Sequence, residues 1–224
     1  MKGGVAALAL AYGLYFLYLF ATGGLYFYIH PIYVVPTAVT GAVLVALGVA
    51  SWRADGPHVS RLAMAALAVP VVLGFVLPAQ PLSPATASQR GVASTSLGRG
   101  DAATFDVEAR PERYTIKDWV KAFAADPEPG RHVGKPVRVT GFVHRDPSLP
   151  DRWFLVARFV VQCCAVDAQP VGLPVESSGP APDAGRWVEV EGTWQVHDAD
   201  GRRRAVIAAT AVTPTARPDQ PYLY

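Results

Sequence analysis

The chain reads as an α+β membrane protein: apolar amino-terminal helices, a linker, and a small mostly-β domain preceded by one amphipathic helix. Two observations predict this. Between Gly3 and Ala79 the only fully charged side chains are Arg53, Asp55 and Arg61, whereas beyond Ala79 acidic and basic residues are equally numerous. The apolar pattern also changes, from unbroken runs in the first part to short alternating stretches in the last.

A bilayer core takes about 20 apolar residues of helix. Three segments meet that length, at about 5–22, 33–50 and 62–79, which gives a membrane module over residues 1–79. Pro70 lies inside the third, a position a membrane helix tolerates when neighbours satisfy the carbonyl it frees. The first run follows Lys2 as a signal peptide would, but it is long, aromatic and followed by two further spans. Lys2, Arg53 and Arg61 fall on one side of the bilayer, and the turn from Tyr28 to Tyr33 holds no Lys or Arg. The positive-inside rule then puts the amino terminus in the cytoplasm of the cell (inner) membrane and the carboxy-terminal domain outside it.

Residues 80–103 are rich in Pro, Ser, Ala, Thr and Gly without periodicity, and read as a flexible linker. The domain at 104–224 starts with a short extended piece, Thr104 to Val107. A helix follows, with Thr115 and Asp118 as a capping pair and Ile116, Trp119, Val120 and Phe123 on one face. Five strands come next: 136–144, 153–161, 171–175, 187–196 and 205–212. Gly141 and Gly192 are placed for bends or bulges, so the strands predict a small closed barrel of OB-fold type, with a small β-sandwich as the alternative. Trp119, Trp153, Trp187 and Trp194 read as core and rim, Arg158 as solvent-facing, and Arg202-Arg203-Arg204 as a solvated hairpin loop.

Charge balance gives no electrostatic reason for a nucleic-acid partner. There is no nucleophile elbow, phosphate-binding glycine loop or His-Glu-x-x-His, so the expectation is a non-enzyme. The chemistry concentrates in the only two cysteines, Cys163 and Cys164, with Asp167 three residues on. Thiolates and a carboxylate suit zinc or another thiophilic metal. Successive strand residues face opposite ways, so the three converge only if the chain turns at the cysteines. His144 or His197 is a candidate fourth ligand. Two other readings stay open: structural cysteines in a module that docks a protein, and a redox pair whose vicinal disulfide would be strained. His30, beside Pro31, is either a proton-sensing group or a solvated loop residue.

Several tracts resemble one family. They are Tyr28-Ile29-His30-Pro31, Ser88-Gln89-Arg90-Gly91, Gly134 to Val143, Ala157 to Ala168 with Arg158-Phe159 and Cys163-Cys164-Ala165-Val166-Asp167, and the closing Pro221-Tyr222-Leu223-Tyr224. Together they resemble the bacterial YcgQ-like membrane proteins, some of which carry a repressor label. The resemblance implies a permease-associated subunit paired with a YcgR-like multi-span permease, and some groups of the family are linked to zinc homeostasis. Some relatives have a His-rich second loop; here that loop holds only His58. No helix-turn-helix or basic patch matches the repressor label.

Overall fold

A computed structural model describes residues 3–52, 59–92, 111–126, 128–147, 149–199 and 202–224. These form two compact units. One comprises Met1–Leu82 with Gln162–Val166 and Tyr224, the other Ser83–Val161 with Asp167–Leu223.

The first unit holds α1 (Gly4–Ala21), α2 (Val34–Ser51) and α3 (Arg61–Val76). Short 3-10 turns at Gly24–Phe27 and Pro31–Tyr33 lie between α1 and α2. The segments Gly4–Ala21 and Pro31–Ser51 are long and apolar enough to cross a bilayer. The third helix is apolar but has 16 residues and stops at Val76, short of the expected 79. Leu77 is extended because Pro78 follows, and the ring of a proline disfavours helical backbone in the residue before it.

The residues that α1 and α2 bury are mostly small. Ala6 and Gly13 lie one heptad apart on α1, as do Gly41 and Gly48 on α2. A Cβ on Gly13 would sit 2.6 Å from the Gly41 carbonyl oxygen, so the backbones meet only because no side chain stands between them. Outward faces carry exposed Leu14, Val39, Val43, Leu47 and Val72. Near Pro70 the Tyr12 hydroxyl donates to the Leu67 carbonyl at 2.9 Å, one residue beyond the carbonyl of Ala66 that the proline leaves without its helical donor.

The second unit contains α4 (Pro84–Arg90), α5 (Ile116–Ala125) and strands β1 (Pro136–His144), β2 (Trp153–Val160), β3 (Gln169–Glu176), β4 (Trp187–Ala199), β5 (Arg202–Pro214) and β6 (Tyr222–Leu223). The expected linker is therefore helical over Pro84–Arg90, where Ala87 is fully buried. The expected extended piece at 104–107 lies outside the described residues. The order β1-β4-β5-β3-β2, with β2 returning to β1, closes a five-stranded barrel, and β6 adds to β2 in parallel. Of the barrel pairings only β3–β5 is parallel. The ladder register shifts between Glu191 and Gly192, where a Cβ on Gly192 would collide with the Ala208 carbonyl.

Val188, Val190 and Trp194 point inward and are buried, as the alternation of β4 requires. The arginines read as a hairpin loop are instead in β5. Arg203 stands opposite Asp198 and Arg204 opposite His197 in the ladder, and the Arg203 guanidinium pairs with Glu128 at 3.0 Å.

Helix α5 begins with a full capping box: the Thr115 N–H donates to Asp118 Oδ2 at 2.9 Å, and the Asp118 N–H donates to Thr115 Oγ1 at 3.3 Å. Its apolar face brings Trp119 within 5.3 Å of Trp194, ring centre to ring centre. Against this cluster lies buried His132, 4.5 Å from the Phe123 ring. Its Nε2 has no hydrogen-bond partner among the described residues, and its Nδ1 is 3.5 Å from the Lys135 ammonium. Burial first and Lys135 second push its pKa down, with the Asp126 backbone and then its carboxylate partly opposing.

Two outcomes follow from this packing. Gly13→Leu drives α1 and α2 apart and destabilises the full chain in detergent by about 1–3 kcal/mol, read from its thermal transition. Above about pH 6.5 His132 is neutral in both the folded and unfolded states, so stability does not depend on it. Below that pH the unfolded chain takes up a proton that the folded form resists, and stability falls until the lowered folded pKa is reached. Denaturation midpoints at pH 7, 6 and 5 should drop accordingly. The drop is shallower in His132→Phe, which leaves the same-signed contribution of His144, also lowered by burial.

Candidate metal centre

Strand pairing of β2 ends at Val160. The Val161 N–H still donates to the Leu223 carbonyl at 2.9 Å, but from Gln162 to Asp167 the chain bends and turns. On a strand the adjacent thiols would have faced opposite ways; off it they converge. Cys163 is exposed, Cys164 half-buried, and neither forms a disulfide. Their sulfurs stand 3.6 Å apart. With an Asp167 carboxylate oxygen, all three ligand atoms of this one short turn lie within 4.8 Å of one another.

That spacing has chemical content. At a zinc–sulfur bond of about 2.3 Å, a tetrahedral centre places two sulfurs about 3.8 Å apart. A zinc ion bonded to both sulfurs at 3.6 Å separation would subtend an angle of roughly 100°. A linear two-thiolate arrangement at the same bond length would require about 4.6 Å.

Within the first unit the cysteine turn has a seat. Ile29 and Cys164 form an isolated antiparallel bridge. The His30 N–H donates to the Cys163 carbonyl at 2.9 Å, and the Ala165 N–H donates to the Tyr28 carbonyl at 2.8 Å. These two bonds bracket the cysteine pair and engage only its backbone. His30 is partly buried: its Nδ1 accepts from the Ile32 N–H at 3.2 Å, and its ring stands edge-on to Tyr224 at 5.0 Å. The Tyr224 hydroxyl in turn donates to the Tyr26 carbonyl at 3.1 Å. His30 thus organises the seat as well as meeting solvent.

Within the second unit two arginines act on backbone. Arg90 donates to the Ala168 carbonyl at 2.6 Å, immediately after Asp167 in the chain. Arg158 donates from Nε to the Pro221 carbonyl at 3.2 Å and from Nη2 to the Gln220 carbonyl at 2.6 Å, with its guanidinium 5.7 Å from the centre of the Trp187 ring. The solvent-facing expectation for Arg158 is corrected. Strand β6 has only two residues, so the carbonyls before it lack ladder donors, and a half-buried guanidinium supplies them. Of Arg90, the sequence offered only its place in the Ser88-Gln89-Arg90-Gly91 tract; of His132 it offered no signal.

Neither histidine considered as a fourth ligand belongs to the thiol–carboxylate group. His197 packs its ring on Trp153 at 4.9 Å, and His144 pairs opposite Leu155 at the end of β1. Arg158→Gln should loosen the carboxy-terminal strand: hydrogen exchange at the amide of Val161, which depends on Leu223, accelerates about tenfold or more while the amides of β4 keep their protection.

Residues 113–224, which include the whole barrel, match the family model described as the DUF1980 C-terminal domain. No curated protein matches the chain.

Proposed function

The chain belongs to the DUF1980 family, and from that premise we propose a membrane-anchored, non-enzymatic accessory subunit of a multi-span permease. It captures or senses a thiophilic metal, zinc foremost, through Cys163, Cys164 and Asp167. The observation that carries the reading is the pair of sulfurs 3.6 Å apart with a carboxylate oxygen in the same turn. Exposure of Cys163 weighs against cysteines that serve packing alone.

The anchoring half of the proposal rests on two helices of spanning length and a third apolar one. At 1.5 Å per residue α3 covers about 24 Å, against a hydrocarbon core of about 30 Å. A span this short is accommodated by local thinning and by the apolar residues Leu77 and Ala79 beyond its end. The distribution of Lys2, Arg53 and Arg61 favours a cytoplasmic amino terminus and an extracytoplasmic barrel. The barrel's closure, β1-β2-β3-β5-β4 with β3 and β5 parallel, favours an OB-type topology, and the shared tracts favour a YcgQ-like member paired with a permease.

The test is zinc binding by the full chain in detergent micelles under reducing conditions. One zinc per chain is expected, weakened more than about a hundredfold in the Cys163→Ser/Cys164→Ser variant. Chelation should leave the barrel folded, because its core of Phe154, Val156, Val190 and Trp194 is independent of the turn. Zinc binding unchanged in the double variant overturns the reading. A second reading rests on the same 3.6 Å separation: closure to about 2.05 Å would make a reversible vicinal disulfide. Absence of zinc binding, together with thiol alkylation lost on mild oxidation and regained on reduction, would establish it.

A further inference from the structure

Resting on the metal reading above, we propose that this chain supplies three ligands and leaves the fourth tetrahedral position for an outside donor, making the centre a hand-over site rather than a closed store. The outside donor is monodentate and borderline or soft, an imidazole or a thiolate presented by a partner.

Five observations converge on this. The group contains three donors among the described residues. A sulfur separation of 3.6 Å is compatible with tetrahedral coordination, and a tetrahedral ion held by three ligands keeps a fourth vertex. The turn is open on its outer side, with Cys163 exposed and neighbouring Val166 85% exposed. Its backbone is pinned by the bonds to Tyr28 and His30, which restrain it from wrapping round the ion. His30, the histidine of that seat, has Nδ1 engaged by the Ile32 N–H and its ring set against Tyr224. Loading releases the two thiol protons; passing the metal on is ligand exchange without electron transfer, and the thiolates regain protons as the ion leaves.

Cobalt(II) is the probe, because its visible bands report coordination. The full chain in nanodiscs, reduced with a phosphine, is loaded with one equivalent and titrated with imidazole or, separately, with a small thiol. The bands should shift saturably with one added donor per metal. Apparent cobalt affinity, corrected for cobalt complexed by free donor, should rise about tenfold when the donor reaches ten times its own dissociation constant. A larger response to one titrant assigns the donor class.

Bands that do not respond while cobalt stays bound overturn the open position and leave metal capture standing. Failure of the chain to bind cobalt or zinc at all overturns the metal reading itself.

Discussion

The two-residue period of a β-strand is the constraint on which the candidate centre depends. Adjacent cysteines cannot serve one ion while they belong to a ladder, so β2 has to end before them. It does so abruptly: Trp153 to Val160 is buried along nearly its whole length and pairs with β1, β3 and β6, and two residues past its end the chain is bending. The strand that closes the barrel is thus the one that delivers the thiols. Its exit is fixed on one flank by the Val161–Leu223 hydrogen bond.

Much of the barrel was legible because burial imposes alternation. Val137 and Val139, or Val188, Val190 and Trp194, can occupy one face only if the chain is extended, and the structure places them inward. Strand ends were less legible. β5 runs to Arg202 because its ladder with β4 continues as far as Ala199, and a run of three arginines gives no such signal by itself. The end of α3 follows from Pro78, a local rule that composition obscured, since the residues beyond Val76 are still apolar.

The centre was legible only in part, for a related reason. Residue chemistry pointed to Cys163, Cys164 and Asp167, and their nearness in sequence sufficed for the turn to gather them. The two bonds that bracket the cysteine pair were not legible, because both are main-chain contacts. The partners of Cys163 and Ala165 are the N–H of His30 and the carbonyl of Tyr28, and nearly any side chains at those positions would offer the same groups. Arg158 shows the converse. Its charge suggested water, yet carbonyls stranded beside a two-residue strand outbid solvent for its donors.

The bridge between Ile29 and Cys164 also has a meaning in time. During synthesis the Tyr28–His30 segment of that bridge emerges long before its partner does, and everything from α2 to β2 is made in between. The ladders joining neighbours such as β2–β3 and β4–β5 close over far shorter stretches of chain. Loop-closure entropy rises only slowly with length, about 0.6 kcal/mol per doubling, so distance along the chain is a modest thermodynamic penalty but a real kinetic delay. The cysteine turn therefore acquires its seat late, after the strand that carries it exists. A newly made chain passes through an interval in which both thiols are present and the backbone that orients them is not yet assembled.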